Sequence, residues 1–142
     1  MDSAKRVISG TWGEVWIDGE LVAECTACQA KYTYNKETVP MCGQMVNDKK
    51  VVSVDGTGSI TFNKVYSRMS EKSDMILQGH DVRSTIITNL ADPDAYGAER
   101  VAFYNVSWDD QTLADWAQGK LGTTTHPFTF TRHKFLDKID PA

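Results

Sequence analysis

Residues 11–28 read TWGEVWIDGELVAECTAC, and the way this stretch folds decides the class of the chain. Asp18-Gly19 supplies the two positive-φ positions that a type I′ turn demands, with VWI before it and LVAE after it. The pattern predicts a β-hairpin. Its first strand spans Thr11 to Ile17, where Trp12, Val15, Trp16 and Ile17 give a β-rich composition, and its return strand runs from Glu20 toward Tyr34. The stretch ends in Cys25-x-x-Cys28, a spacing also used by zinc and redox sites. Residues i and i+3 of an unbroken strand face opposite sides, which would keep the two thiols from one metal or from each other. No second Cys-x-x-Cys follows, Cys42 stands alone, and a redox pair would want the start of a helix. The expectation is three free thiols in a structural hairpin.

Beyond the hairpin, NKETVPMCGQMVNDKK (residues 35–50) predicts a long polar loop bearing the apolar residues Val39, Met41, Met45 and Val46. Such a loop is more often a contact surface than a linker. VVSVDGTGSITFNKV follows, and SITF continues as strand. No helix N-terminus is therefore available to make the glycines a phosphate loop, and Gly56 and Gly58 are read as turn or bulge positions. A helix is expected after Val65, with Tyr66, Met69, Ile76 and Leu77 on one face, Ser67 or Ser70 at its start and Gly79 at its end. RSTIITNL and RVAFYNVSW predict two antiparallel strands. DDQTLADWAQG predicts a short helix capped by Asp110, with Leu113 and Trp116 on one face and Gly119 closing it, and HPFTFTRHKF a final strand. The order defines a mostly β, α+β chain: an antiparallel sandwich or barrel with one flanking helix and a long loop.

At 142 residues the chain is long enough for one domain with a core of its own, and residues 1–142 are read as a single unit. No run approaches the ~20 apolar residues of a membrane-spanning helix, and MDSAKRVISGTWG lacks the apolar segment of a secretion signal. A net charge of −4 with dispersed basic residues disfavours binding to nucleic-acid phosphates. His80, His126 and His133 have no metal-ligand spacing, and the pairs Asp92/Asp94 and Asp109/Asp110 lack the remaining ligands of a calcium loop. No cofactor, metal or catalytic residue is expected.

Taken in order, ISGTWGEVWIDGELV, KETVPMCGQMVNDKK, DGTGSITFNKVYSRM, ERVAFYNVSWD and PFTFTRHKF resemble the tail-tube proteins of contractile phage tails and of R-type phage-tail-like bacteriocins of Gram-positive bacteria. The family is typified by the tube protein of a defective Bacillus prophage, and the resemblance runs from Ile8 to Phe135. It implies a structural, non-enzymatic subunit whose hexameric rings stack into the hollow inner tube of a contractile tail. The implied partners are further copies of the chain, the surrounding sheath, and baseplate and tail-terminator proteins. DNA would pass without specific binding and no membrane would be stably held. The subunit would be made in the bacterial cytoplasm and leave in a phage tail or tail-like particle on lysis. The loop of residues 35–50 would reach the neighbouring ring, making Val39, Met41, Met45 and Val46 candidate ring-to-ring contacts. Ser59, Thr61 and Asn63, alternating with Ile60 and Phe62, would face either the lumen or ordinary solvent. An acidic chain also suits a conduit for a polyanion, which a basic lining would arrest.

Two other classes compete. A small β-barrel could hold an apolar ligand among Trp12, Trp16, Phe62, Phe103 and Trp108, although such aromatics more often form a plain core. An enzyme would have to combine Cys42 or Cys28 with a histidine, and no sequence signature supports that.

Overall fold

The computed structural model describes residues 3–139. Two antiparallel sheets share one strand. The hairpin at Asp18-Gly19 forms as expected: β1 (Gly13–Ile17) pairs with β2 (Glu20–Leu21) through Trp16↔Leu21 and Ile17↔Glu20. Both turn residues have positive φ, 50° and 86°. Trp12 lies in a short 3-10 turn ahead of the strand. The return strand is not continuous, because the chain leaves β2 at Leu21 and re-enters a different sheet as β3 (Cys25–Val39).

β3 pairs along its whole length with β4 (Asp48–Asn63), and this overturns the long loop expected over residues 35–50. Only residues 40–47 connect the two strands; Asn35 to Val39 and Asp48 to Lys50 are ladder. The polar composition that suggested a loop belongs to a ribbon with water on both faces, which needs no apolar alternation. Gly56 and Gly58 are likewise not turns. Both lie within β4, where a Cβ on Gly56 would stand 2.5 Å from the Phe130 carbonyl oxygen and one on Gly58 2.4 Å from that of Gln29 and 2.6 Å from the Phe128 ring. Close approach of a neighbouring ring and backbone, rather than a change of direction, is what these positions require.

The expected strand pair is present as β5 (Ser84–Leu90) and β6 (Glu99–Trp108). The final strand divides into β7 (Thr123–Phe130) and β8 (Arg132–Asp137). β6 serves both sheets: Arg100–Tyr104 pair with β8, whereas Ser107 and Trp108 pair with β7. The corner is Asn105, whose φ of 57° is tolerated by asparagine and whose amide donates to the Thr131 hydroxyl at 3.1 Å. One sheet is therefore β2-β1-β5-β6-β8 and the other β6-β7-β4-β3, an open sandwich. Ile60, Phe62, Ile86, Val106, Phe128 and Phe130 fill its interior, with Val15, Ile17 and Val22 from the hairpin.

α1 (Ser70–Leu77) occupies the expected position but not with the expected cap or face. Met69 holds the capping position without a side-chain bond, and the Ser70 hydroxyl donates back to the Ser67 carbonyl. Met69 is buried while Ile76 and Leu77 are exposed. Gly79 ends the helix at a φ of 96°, as read. The second helix does not form. Residues 109–122 are irregular apart from a turn at Gly119, Asp110 caps nothing, and Leu113, Trp116 and Leu121 stand in solvent. A helix that short is marginal unless its apolar face is covered, and within one chain nothing covers this one.

Candidate assembly surfaces

The β3–β4 ribbon outruns its sheet. β7 pairs with β4 only from Gly56 to Asn63, so residues 48–55 of β4 have β3 on one side and an open edge on the other. β3 in turn is the end strand, with an open outer edge from Cys25 to Val39. Tyr34 and Val54, which would continue the core face, are exposed along this overhang, as are Val51 and Val52 at the register shift between Asn35 and Lys36. At its tip Met41, Met45 and Val46 project, with Val39 exposed at the end of β3. The sequence-selected contact residues are thus brought together at one end of the molecule.

Ser59, Thr61 and Asn63 also share a face. They alternate with Ile60 and Phe62, which are 0% and 4% exposed, and so lie on the side of the sheet away from the core. The register sets Ser59 beside Gln29 and Pro127, Thr61 beside Ala27 and Thr125, and Thr57 beside Lys31 and Thr129. The Thr61 and Thr125 hydroxyls are 3.2 Å apart. The result is a carpet of small hydroxyl side chains. Sequence reading missed its β7 half, because Thr125 and Thr129 join it only through the β4–β7 register.

A second apolar surface lies toward the opposite end of β4, its rim residue His126 pairing with Ile60. There α1 and the residues just before it are held to the hairpin and its exit by three ion pairs, one of them Arg68 to Glu20 at 3.6 Å. Arg68 donates to both oxygens of Glu24 at 2.6 and 3.0 Å, and Lys72 Nζ lies 2.8 Å from Asp18, whose other oxygen accepts from the Thr85 N–H. The Arg68 and Glu24 side chains are only 20% and 7% exposed. A groove of about 180 Å³ separates α1 from the start of the 109–122 segment, lined by Met69, Ile76, Leu77 and Trp108 with Asp109 and Asp110.

The Arg68 guanidinium holds the Glu24 carboxyl below its ordinary pKa. The pair therefore stabilises the fold fully above the ordinary glutamate pKa and loses that contribution as the pH falls through the lowered folded value. Glu24→Gln is expected to lower unfolding free energy by about 1.5–3 kcal/mol at pH 7. Denaturant titrations of wild type and variant at several pH values check this, the gap closing below about pH 4.

The cysteines need one correction. A register shift between Cys25 and Ala27 inserts an extra residue, so Cys25 opposes Phe62 and Cys28 opposes Ile60, both on the core face. The opposite-face argument fails at this bulge. Desolvation nevertheless raises both thiols, Cys28 to about 12 although part of that residue meets solvent, and Cys25 also donates to the Ala27 carbonyl. Neither is a poised thiolate. Cys42 stands exposed in the ribbon tip, while His133 is bonded to the Tyr32 hydroxyl at 2.6 Å and His126 packs on Phe62 and Trp108. Among the described residues no group of three or more His, Cys, Asp or Glu side chains could hold a metal, and no helix is long and apolar enough to cross a membrane. The aromatics proposed as a ligand cage are dispersed: Trp12 is half exposed, and Phe103 and Trp108 pack edge-to-face against Phe130 and Phe128.

The chain is an open antiparallel sandwich with one short α-helix and an overhanging ribbon. The chain shares this fold with a chain in the structure of the anti-feeding prophage tube-terminating cap (TM-score 0.74, 11% identity, 97% of this chain and 96% of that one). It shares it too with a chain of the sheath–tube complex of an extracellular contractile injection system, PVC, in its extended state (TM-score 0.67, 11% identity, 95% and 98%). The family follows from sequence: residues 2–137 match the family described as phage tail tube protein, and the chain belongs to it. It is 33% identical over 139 residues to the phage-like element PBSX protein XkdM of Bacillus subtilis (strain 168), covering 96% of this chain and 95% of that protein.

Proposed function

We propose that the chain is a structural subunit, not an enzyme, which assembles with copies of itself into hexameric rings stacked as the inner tube of a contractile phage tail or phage-tail-like particle. The observation that carries this reading is the β3–β4 ribbon. It leaves two strand edges unpaired and the apolar side chains Tyr34, Val51, Val52 and Val54 in water. The two open edges are unlike, so the β3 edge of one copy can pair with the β4 edge of the next, a head-to-tail contact that rotation about an axis closes into a ring. Six-fold closure follows the family resemblance, as do a sheath around the tube and baseplate and terminator proteins at its ends. The Ser/Thr-rich face around Ser59, Thr61 and Asn63 would line the lumen, presenting mostly hydroxyl and amide groups with Lys31 beside Thr57, while Val39, Met41, Met45 and Val46 would contact the next ring. Negative-stain electron microscopy over a concentration series, with light scattering for mass, tests the proposal. Rings or hollow tubes of uniform width are expected. A monomer at every concentration, including in the presence of baseplate components as initiator, would overturn it.

A further inference from the structure

The ribbon tip and the α1 groove lie toward opposite ends of one strand. β4 has 16 residues, and at ~3.3 Å per residue its ends are about 50 Å apart. At the Asp48 end stand Met41, Met45 and Val46. Past Asn63 the chain enters α1, whose exposed Ile76 and Leu77 form one wall of the groove described above. The charges are complementary as well. Lys49 and Lys50 follow the tip, with Asp48 and the cross-strand Glu37 as the local acids, whereas the groove carries Asp109 and Asp110, and its one lysine, Lys72, is engaged by Asp18.

We propose that the tip of one copy docks in the α1 groove of a copy in the adjoining ring. Met45 and Val46 lie against Ile76 and Leu77, and Lys49 and Lys50 face Asp109 and Asp110. The inference rests on the self-assembly reading and supplies the receiving surface that reading leaves open. Two unlike surfaces at opposite ends of a subunit form a heterologous contact, which propagates along an axis, whereas a tip-to-tip contact would end at a pair. The exposed Leu113 and Trp116 belong to the segment that follows Asp109 and Asp110, and a docked tip gives them a covering that the isolated chain lacks.

Cys42 is a native reporter, since it is exposed within the tip. Full-length protein carrying Leu77→Cys, a substitution at an exposed position, is assembled, oxidised with copper phenanthroline and run on a non-reducing gel. Because every copy carries both tip and groove, a ladder of dimers and higher multimers is expected, lost on reduction and absent from Leu77→Cys/Cys42→Ser. Leu136→Cys, on exposed β8, should give no ladder. Polymers that scatter light normally but yield no ladder from either Leu77→Cys or Leu113→Cys would overturn the groove as the docking site and leave self-assembly standing. Wild-type protein that never polymerises would instead overturn the assembly reading beneath it. Charge reversal gives an independent measure. Lys49→Glu/Lys50→Glu should raise the critical concentration by about tenfold or more, and adding Asp109→Lys/Asp110→Lys should restore it. A combined variant that polymerises no better than the first would overturn the charge pairing.

Discussion

Met45→Asp combined with Val46→Asp is expected to leave a folded chain that no longer forms tubes. Met45 is fully exposed and Val46 nearly so, and neither contributes to the core. Substitutions at such positions change stability by less than about 0.5 kcal/mol, so circular dichroism and the denaturation midpoint should match wild type. Assembly is another matter. Burying the two apolar side chains in a neighbouring copy is worth about 1.5–3 kcal/mol each, and the aspartates would add unpaired charges to a dry contact. The critical concentration should rise by roughly 100-fold or more, beyond the range in which light scattering detects polymer. Tubes of normal length at wild-type concentration would show that the tip makes no ring-to-ring contact.

The largest loss of stability is expected from Gly58→Ala. The added Cβ would sit 2.4 Å from the Gln29 carbonyl oxygen and 2.6 Å from Phe128 Cζ. Neither obstacle is the loose end of a flexible chain: the carbonyl belongs to the β3–β4 ladder, and Phe128 is 0% exposed at the centre of the sandwich. Relief requires moving a strand or displacing the ring that packs against Phe130 and Trp108. Overpacking of this kind costs about 1–3 kcal/mol, and a broken ladder adds to it. Gly56→Ala repeats the collision against Phe130. The double variant therefore removes a large share of the 5–15 kcal/mol that holds an ordinary domain folded. Thermal unfolding of the single and double variants checks this. A shift of less than about 2 °C for Gly58→Ala would mean that the ring and strand yield far more easily than their packing implies.

Met45, Val46, Gly56 and Gly58 all stand out in the sequence, but only the tertiary structure gives each its surroundings. Met45 and Val46 are apolar side chains on a polar stretch, a contrast visible without knowledge of the fold. Their surroundings are not legible in the same way: Asn35 to Val39 are strand, and no alternation marks it because both faces of the ribbon meet water. In sequence Gly56 and Gly58 read as turn or bulge positions, since a turn and a close approach ask for the same residue and only the cross-strand neighbours distinguish them. Residues 109–119 carry a helical spacing of Leu113 and Trp116 that the single chain does not use, because a short helix needs a covering surface. The bulge at Cys25 is a one-residue register shift, visible only once Phe62 and Ile60 are known to be its partners.

What the sequence determined by itself is what depends on neighbours along the chain. Asp18-Gly19 makes a type I′ turn from its own φ preferences, Gly79 stops α1 by adopting positive φ, and the alternation of Ser59, Thr61 and Asn63 with Ile60 and Phe62 assigns each to a face. What the tertiary structure decided depends on residues far apart in sequence: that β6 turns at Asn105 to serve two sheets, that β7 stops short and leaves the ribbon edges open, and that Asp109 and Asp110 come to stand beside Ile76 and Leu77. Local dihedral and hydrophobic preferences act over a few residues, whereas strand register and sheet order are fixed by contacts whose partners no short window contains.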